Sequence, residues 1–252
     1  MKRAAGNLLL VLLTLVVCVV AAEFAARMMW PGWREFQSNR FLMRTQVPGM
    51  GETIIGTPGF SGFFAENNGD FRVAVDINAF GVREPEPIEA ADGRVWVVGD
   101  SFSFGWGVEH DQTFAARTAA RTGVAVYNIA NPGTNVCGYQ RSIARVPDDI
   151  RPRAVIVGLT MENDISPQVC AEAAPPPAET GTIHQQMAIK GYMTMHSALY
   201  NLAAYGVKRN ETLRTLLGRL GIIADVHVDR AGLGDAKPLA VMQNTTHELV
   251  RL

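Results

Sequence analysis

An apolar run at 95–98 breaks at Gly99-Asp100-Ser101 and continues into Phe102-Ser103-Phe104-Gly105-Trp106-Gly107-Val108. A strand that stops on a small residue and hands a serine to the next turn is how an α/β protein sets a nucleophile at the carboxyl edge of its sheet. Ser101 is therefore the candidate nucleophile, and acyl transfer is the chemistry it would serve. The tripeptide is equally an ordinary turn, since Gly takes positive φ while Asp and Ser bond nearby backbone. The strand-to-helix elbow Gly-x-Ser-x-Gly needs glycine two residues past the nucleophile, where this chain has Ser103, so that arrangement is not supported.

Two further strand-like runs, 124–130 and 154–159, end in loops able to hold an oxyanion: Asn131-Pro132-Gly133-Thr134-Asn135 and Thr160-Met161-Glu162-Asn163-Asp164. Helix-like stretches at 112–121 and 138–146 lie between the strands. This alternation predicts right-handed crossovers and a parallel sheet, in which the loops after all strands meet at one edge. Ser101, Gly133 and Asn163 are expected to converge there. A serine attacking an ester builds charge on one oxygen, and each preorganised donor aimed at it is worth on the order of 3 kcal/mol. The backbone N–H groups of Ser101 and Gly133 and the amide of Asn163 would supply three. Taken singly, Pro132-Gly133 is a common turn and Asn163-Asp164 could cap the next segment.

These blocks, in this order and spacing, resemble the SGNH (GDSL-type) hydrolase superfamily over about residues 70–165. Gly99-Asp100-Ser101 is similar to its first block, Gly133 to its second and Asn163-Asp164 to its third, with Met161 where the family carries a glycine. The stretch Asp76-Ile-Asn-Ala-Phe-Gly-Val-Arg83 resembles the lead-in of membrane-anchored bacterial members. The resemblance implies an α/β, flavodoxin-like three-layer sandwich with a parallel sheet, a nucleophile at Ser101, and an oxyanion hole of Ser101, Gly133 and Asn163. It also implies an Asp-x-x-His whose histidine serves as base. None of His110, His184, His196, His227 and His247 has Asp three residues before it. Asp225-Val-His227 has the wrong spacing, and His110 is nearest the serine in sequence; the base stays unassigned. Residues 238–252 carry apolar residues at helical intervals, and by the resemblance a further strand and the Asp-x-x-His would follow, so the chain is expected to be incomplete within the fold and to hydrolyse little or nothing.

The chain has 252 residues, 48% of them apolar, enough for one domain of ordinary size, and its net charge of −1 gives no reason to expect nucleic acid as a partner. Lys2 and Arg3 precede an uncharged apolar run at 8–22, which fits either a cleaved signal peptide or a signal anchor. Poor Ala-x-Ala spacing at 20–26 favours the anchor, and the positive-inside rule then exports the body. Trp30 and Trp33 read as interfacial aromatics, and Val17 is too bulky for Cys18 to end a lipoprotein box. Cys137 and Cys170 follow the second and third blocks; in an oxidising compartment they pair, or they remain two thiols. No ligand spacing for a metal is found, and no cofactor is expected.

Residues 166–182, centred on Pro175-Pro176-Pro177, read as an exposed insertion. Helical character follows at 183–208, rich in methionine and weakened by Gly191, and again at 210–220; a strand is possible at 222–228. The organisation is thus an N-terminal anchor at 1–30, a juxtamembrane region at 31–75 of unassigned fold, and an SGNH hydrolase-like domain at 76–252. The function expected is a membrane-anchored serine esterase or acyl hydrolase on the exported side, with envelope polysaccharide or lipid esters as the substrate classes that location implies. The alternatives are a non-catalytic carbohydrate- or acyl-binding module on the same fold, or an inert remnant.

Overall fold

The computed structural model describes residues 2–66, 70–160, 164, 170, 189, 191–220 and 248–249, which form two compact units. The helical unit contains α1 (Lys2–Met29), a 3-10 turn at Pro31–Arg34, a helical turn at 191–196, α5 (Ala198–Arg209) and α6 (Glu211–Arg219). Along α1 the large apolar side chains from Leu8 to Val20 are 51–69% exposed. A helix apolar all round and uncovered is not a core helix, and α1 is long and apolar enough to cross a membrane.

The helical stretch expected at 183–208 is interrupted among its described residues at Ser197, because the Ser197 hydroxyl caps α5 by accepting from the Tyr200 N–H at 3.0 Å. Asn210 caps α6 in the same way through the Leu213 N–H. The two helices therefore start separately. Trp33 is not an exposed interfacial ring: it is 5% exposed, packs with Ala26 and Ala198, and lies under the guanidinium groups of Arg27 and Arg34.

The sheet unit opens with paired strands in the region whose fold the sequence left unassigned. β1 (Leu42–Val47) and β2 (Gly51–Gly56) form an antiparallel hairpin running from Leu42 opposite Gly56 to Val47 opposite Gly51. β3 (Ser61–Ala65) and β4 (Arg72–Asp76) make a second pair. Phe41, Phe64, Val73 and Val75 bury against Phe104 and Ala130.

The main sheet has three parallel strands, β5 (Val95–Gly99), β6 (Val126–Asn128) and β7 (Ala154–Gly158), in the order β6-β5-β7. The central strand is apolar on both faces, as a covered parallel strand requires. Trp96 and Val98 point toward Val136 and Tyr139 of α4 (Val136–Ala144), while Val97 points toward Ala115 of α3 (Phe114–Thr122). Successive side chains alternate between faces, so a helix covers each face. β6 is shorter than expected, although the ladder continues past it through Ile129 N–H to Val97 O and Asn131 N–H to Gly99 O. β7 is apolar yet open, with Val155 38% and Ile156 39% exposed.

Candidate active site

Ser101 begins a single helical turn, α2 (Ser101–Phe104), directly after β5. The sequence builds this turn with two devices. Asp100, 1% exposed, caps it by accepting from the Phe102 N–H at 2.9 Å, and Gly105 closes it at φ +86, which only glycine adopts without strain. The Ser101 carbonyl accepts from the N–H groups of Gly105 and Trp106. Ser101 itself is half-buried, and among the described residues no side chain hydrogen-bonds its hydroxyl.

Ser103 explains why the elbow pattern fails. It is 2% exposed and occupies the space over two paired glycines: a Cβ on Gly99 would lie 2.1 Å from its Oγ, and one on Gly158 2.0 Å. A serine fills the gap that bulkier strand ends would leave no room for.

The second loop is fastened to the first. Gly99 O accepts from the Asn131 N–H at 3.1 Å, and Thr134 Oγ1 donates to Asn131 O at 2.6 Å. Asn131 is 1% exposed and donates to Ile129 O and Ser142 Oγ. Gly133 sits at the exposed tip with φ +71, and Asn135 caps α4 through the N–H groups of Cys137 and Gly138. That cap starts the helix at Val136, two residues before the start read from sequence.

The third loop is described at Thr160, Asp164 and Cys170; Asn163 lies outside the described residues. Asp164, 1% exposed, accepts through one oxygen from Tyr139 OH at 2.7 Å and from the Thr160 N–H at 2.6 Å, and its own N–H donates to Thr160 O. The other carboxylate oxygen has no hydrogen bond among the described residues. Burial, reinforced by the nearby Asp100, raises the Asp164 carboxyl above its ordinary range despite those two donors. Burial and the bond to Asp164 likewise raise the Tyr139 phenol. Cys137 of α4 and Cys170 form a disulfide across 33 positions, closing the alternative of two thiols. Glu248 takes the Gln140 side-chain amide on its backbone carbonyl and carboxylate, and Leu249 packs against the α4 core.

Behind the serine turn stands Arg83, 3% exposed, which donates to the carbonyls of Gly105 (2.7 Å), Ala74 (2.7 Å) and Val108 (2.8 Å). Glu109, in the loop after α2, accepts from the Ala74 N–H, so that β4 residue is held on one side by Glu109 and on the other by Arg83. Asn78 shapes the preceding turn, accepting from the Phe80 and Val82 N–H groups and donating to Glu86 O and Tyr127 OH. Glu84 accepts from the Asn128 N–H, and burial pushes its carboxyl up to about 7. His110 lies 3.8 Å from Glu84, and burial with the field of Arg83 lowers its imidazole below the usual range. His196 belongs to the helical unit, its ring tilted against that of Tyr192 at 4.4 Å between centroids. His184, His227 and His247 lie outside the described residues, as do the stretches 171–182 and 222–228.

Sequence reasoning missed Arg83, Glu84 and Tyr139. The signal for the first two is a charged pair directly after Gly81-Val82, its arginine closing the lead-in stretch at 76–83, and for Tyr139 its place four residues past the capping Asn135. No group of acidic, histidine and cysteine side chains able to hold a metal ion occurs among the described residues. No family model, curated protein or solved structure matches the chain.

Proposed function

We propose that the chain is an SGNH-type serine acyl-hydrolase domain on a flavodoxin-like three-layer sandwich, held to a membrane by α1 with Lys2 and Arg3 on the cytoplasmic side. The observation that carries the reading is the fastening of the loops: Asn131 to Gly99 joins the second to the first, and Tyr139 to Asp164 joins the third to the helix that follows the second. Three loop tips at one sheet edge are what acyl transfer needs. In this reading Ser101 Oγ attacks an ester carbonyl, the Ser101 and Gly133 N–H groups and the Asn163 amide receive the charge that develops on oxygen, the ester C–O bond breaks with the serine proton passing to the departing alkoxide, and water then hydrolyses the acyl-serine. Lipid or polysaccharide esters of the envelope are the substrate class.

The 252 residues contain no Asp-x-x-His, and the reading assigns no base. Among the described residues no side chain hydrogen-bonds the Ser101 hydroxyl, and that observation favours the second reading, a module that retains an acyl or carbohydrate group without turnover. Turnover of a short-chain aryl ester is accordingly expected to stay near background. A fluorophosphonate probe should label the protein slowly, not at all in Ser101→Ala, and about 100-fold more slowly in Asn163→Ala. Labelling that survives Ser101→Ala overturns the hydrolase reading; no labelling, with an acyl or glycan ligand still bound, transfers the site to the binding module.

A further inference from the structure

In the helical unit one carboxylate ties the N-terminal helix to a distant stretch of chain. Glu23 of α1 accepts from Ser197 Oγ at 2.8 Å and from the Ala198 and Leu199 N–H groups at 2.9 Å each, besides Arg27 Nε at 2.7 Å. Arg27 in turn donates to His196 O at 2.7 Å. Gln37 and Asn201 both donate to Thr194 O, and Asn201 also donates to Trp33 O. The helical turn at 191–196 is thereby fixed to the stretch of α1 that runs from Glu23 to Arg27.

The depth of that stretch follows from length. A hydrocarbon core of about 30 Å takes about 20 helical residues. Counted from Lys2 and Arg3, which stay outside it, the far boundary falls near Glu23. A carboxylate with four donors is the form in which such a group tolerates that depth, and the residues bonded to it share its level. The side chains next to this clasp are apolar and uncovered: Ile189 is 64% exposed, Tyr192 60% and Met193 36%, and on α1 itself Phe24 and Met28 are 66% and 68% exposed. Aromatic and flexible apolar side chains are what the headgroup–acyl boundary accepts.

We infer that the turn at 191–196, through Tyr192 and Met193, together with Ile189 ahead of it, dips into the surface of the bilayer that α1 crosses, a second lipid contact beside the anchor. The inference rests on the anchoring proposed for α1, and the test separates the two. Met193→Cys and Leu12→Cys are made singly in the full chain with Cys18→Ser, the disulfide left oxidised, and each is labelled with a nitrobenzoxadiazole fluorophore after reconstitution into phosphatidylcholine–phosphatidylglycerol vesicles. Iodide in the aqueous phase and lipids brominated near the headgroup serve as quenchers. The expected result is quenching of the Met193 probe by shallow brominated lipid, with iodide quenching about threefold weaker than for the same probe on the protein in urea. Tyr192→Ser should return part of that accessibility. A Met193 probe open to iodide while the Leu12 probe is shielded from it overturns the inference and leaves the anchor standing; both probes open to iodide overturn the anchor and the inference with it.

Discussion

Glu23 and Asp164 are both carboxylates that hold far-apart pieces of chain together, one in each unit, and they do so on opposite terms. Glu23 accepts from four donors, among them two N–H groups at the start of α5 and a guanidinium. Asp164 accepts from a phenol and one N–H through a single oxygen, with its other oxygen unpaired among the described residues and Asp100 nearby. The first is a redundant clasp in which any one partner can go. The second concentrates the hold on one atom, so the third loop depends on Asp164 and on the Cys137–Cys170 bridge.

Substitutions in both units test that contrast. The largest effect is expected from Cys137→Ser with Cys170→Ser: closing a loop of 33 positions is worth about 3–4 kcal/mol in the chain-entropy account, read as a lower midpoint in chemical denaturation. Asp164→Ala comes next, at about 3 kcal/mol, since it orphans the buried Tyr139 hydroxyl and the half-buried Thr160 N–H together. Asp164→Asn, which keeps an acceptor, should recover much of the loss. Combined with the cysteine pair, the Asp164→Ala loss should exceed the sum of the two, because both hold one loop; strict additivity breaks the comparison.

Glu84→Gln bears on the same contrast through pH. The folded protein holds this carboxyl protonated up to about 7 against an ordinary 4.5, so the folded state binds more protons than the unfolded chain and stability falls as pH rises through that window. Gln keeps the acceptor for the Asn128 N–H without the charge. The variant should therefore be more stable than the parent at pH 8, on the order of 2 kcal/mol after allowing for residual exposure, and should flatten the melting-temperature profile between pH 4.5 and 7. An unchanged slope removes Glu84 from the account. Ser197→Ala should cost least, about 1 kcal/mol of helix capping, because Glu23 keeps its three other donors; a loss as large as that of Asp164→Ala would show that the clasp is not redundant.

The parallel sheet and the loops of Ser101 and Gly133 were legible because apolar runs, helix-like intervals and turn residues are local signals. Boundaries slipped where a single side chain decided them: Asn135 starts α4 early and Ser197 divides the later helices. The strand pairs at 42–76 were illegible because β1 alternates poorly, its neighbours being glycine-rich turns. Trp33 was misjudged since its covers, Arg27 and Ala198, lie on either side of it in sequence at very different distances. Arg83 and Glu84 gave no sign of burial because charged residues bury only when partners arrive from elsewhere, here from Ala74, Gly105, Val108 and Asn128.

The ring of carbonyls around Arg83 has a bearing on how the serine turn forms. Its three partners lie 9, 22 and 25 residues away along the chain, and a guanidinium stripped of water with one of them missing is costly. Assembly of this corner is therefore all or nothing: until every strand of it has arrived, the arginine keeps its hydration and the loop beyond Ser101 has no intermediate shape in which to settle.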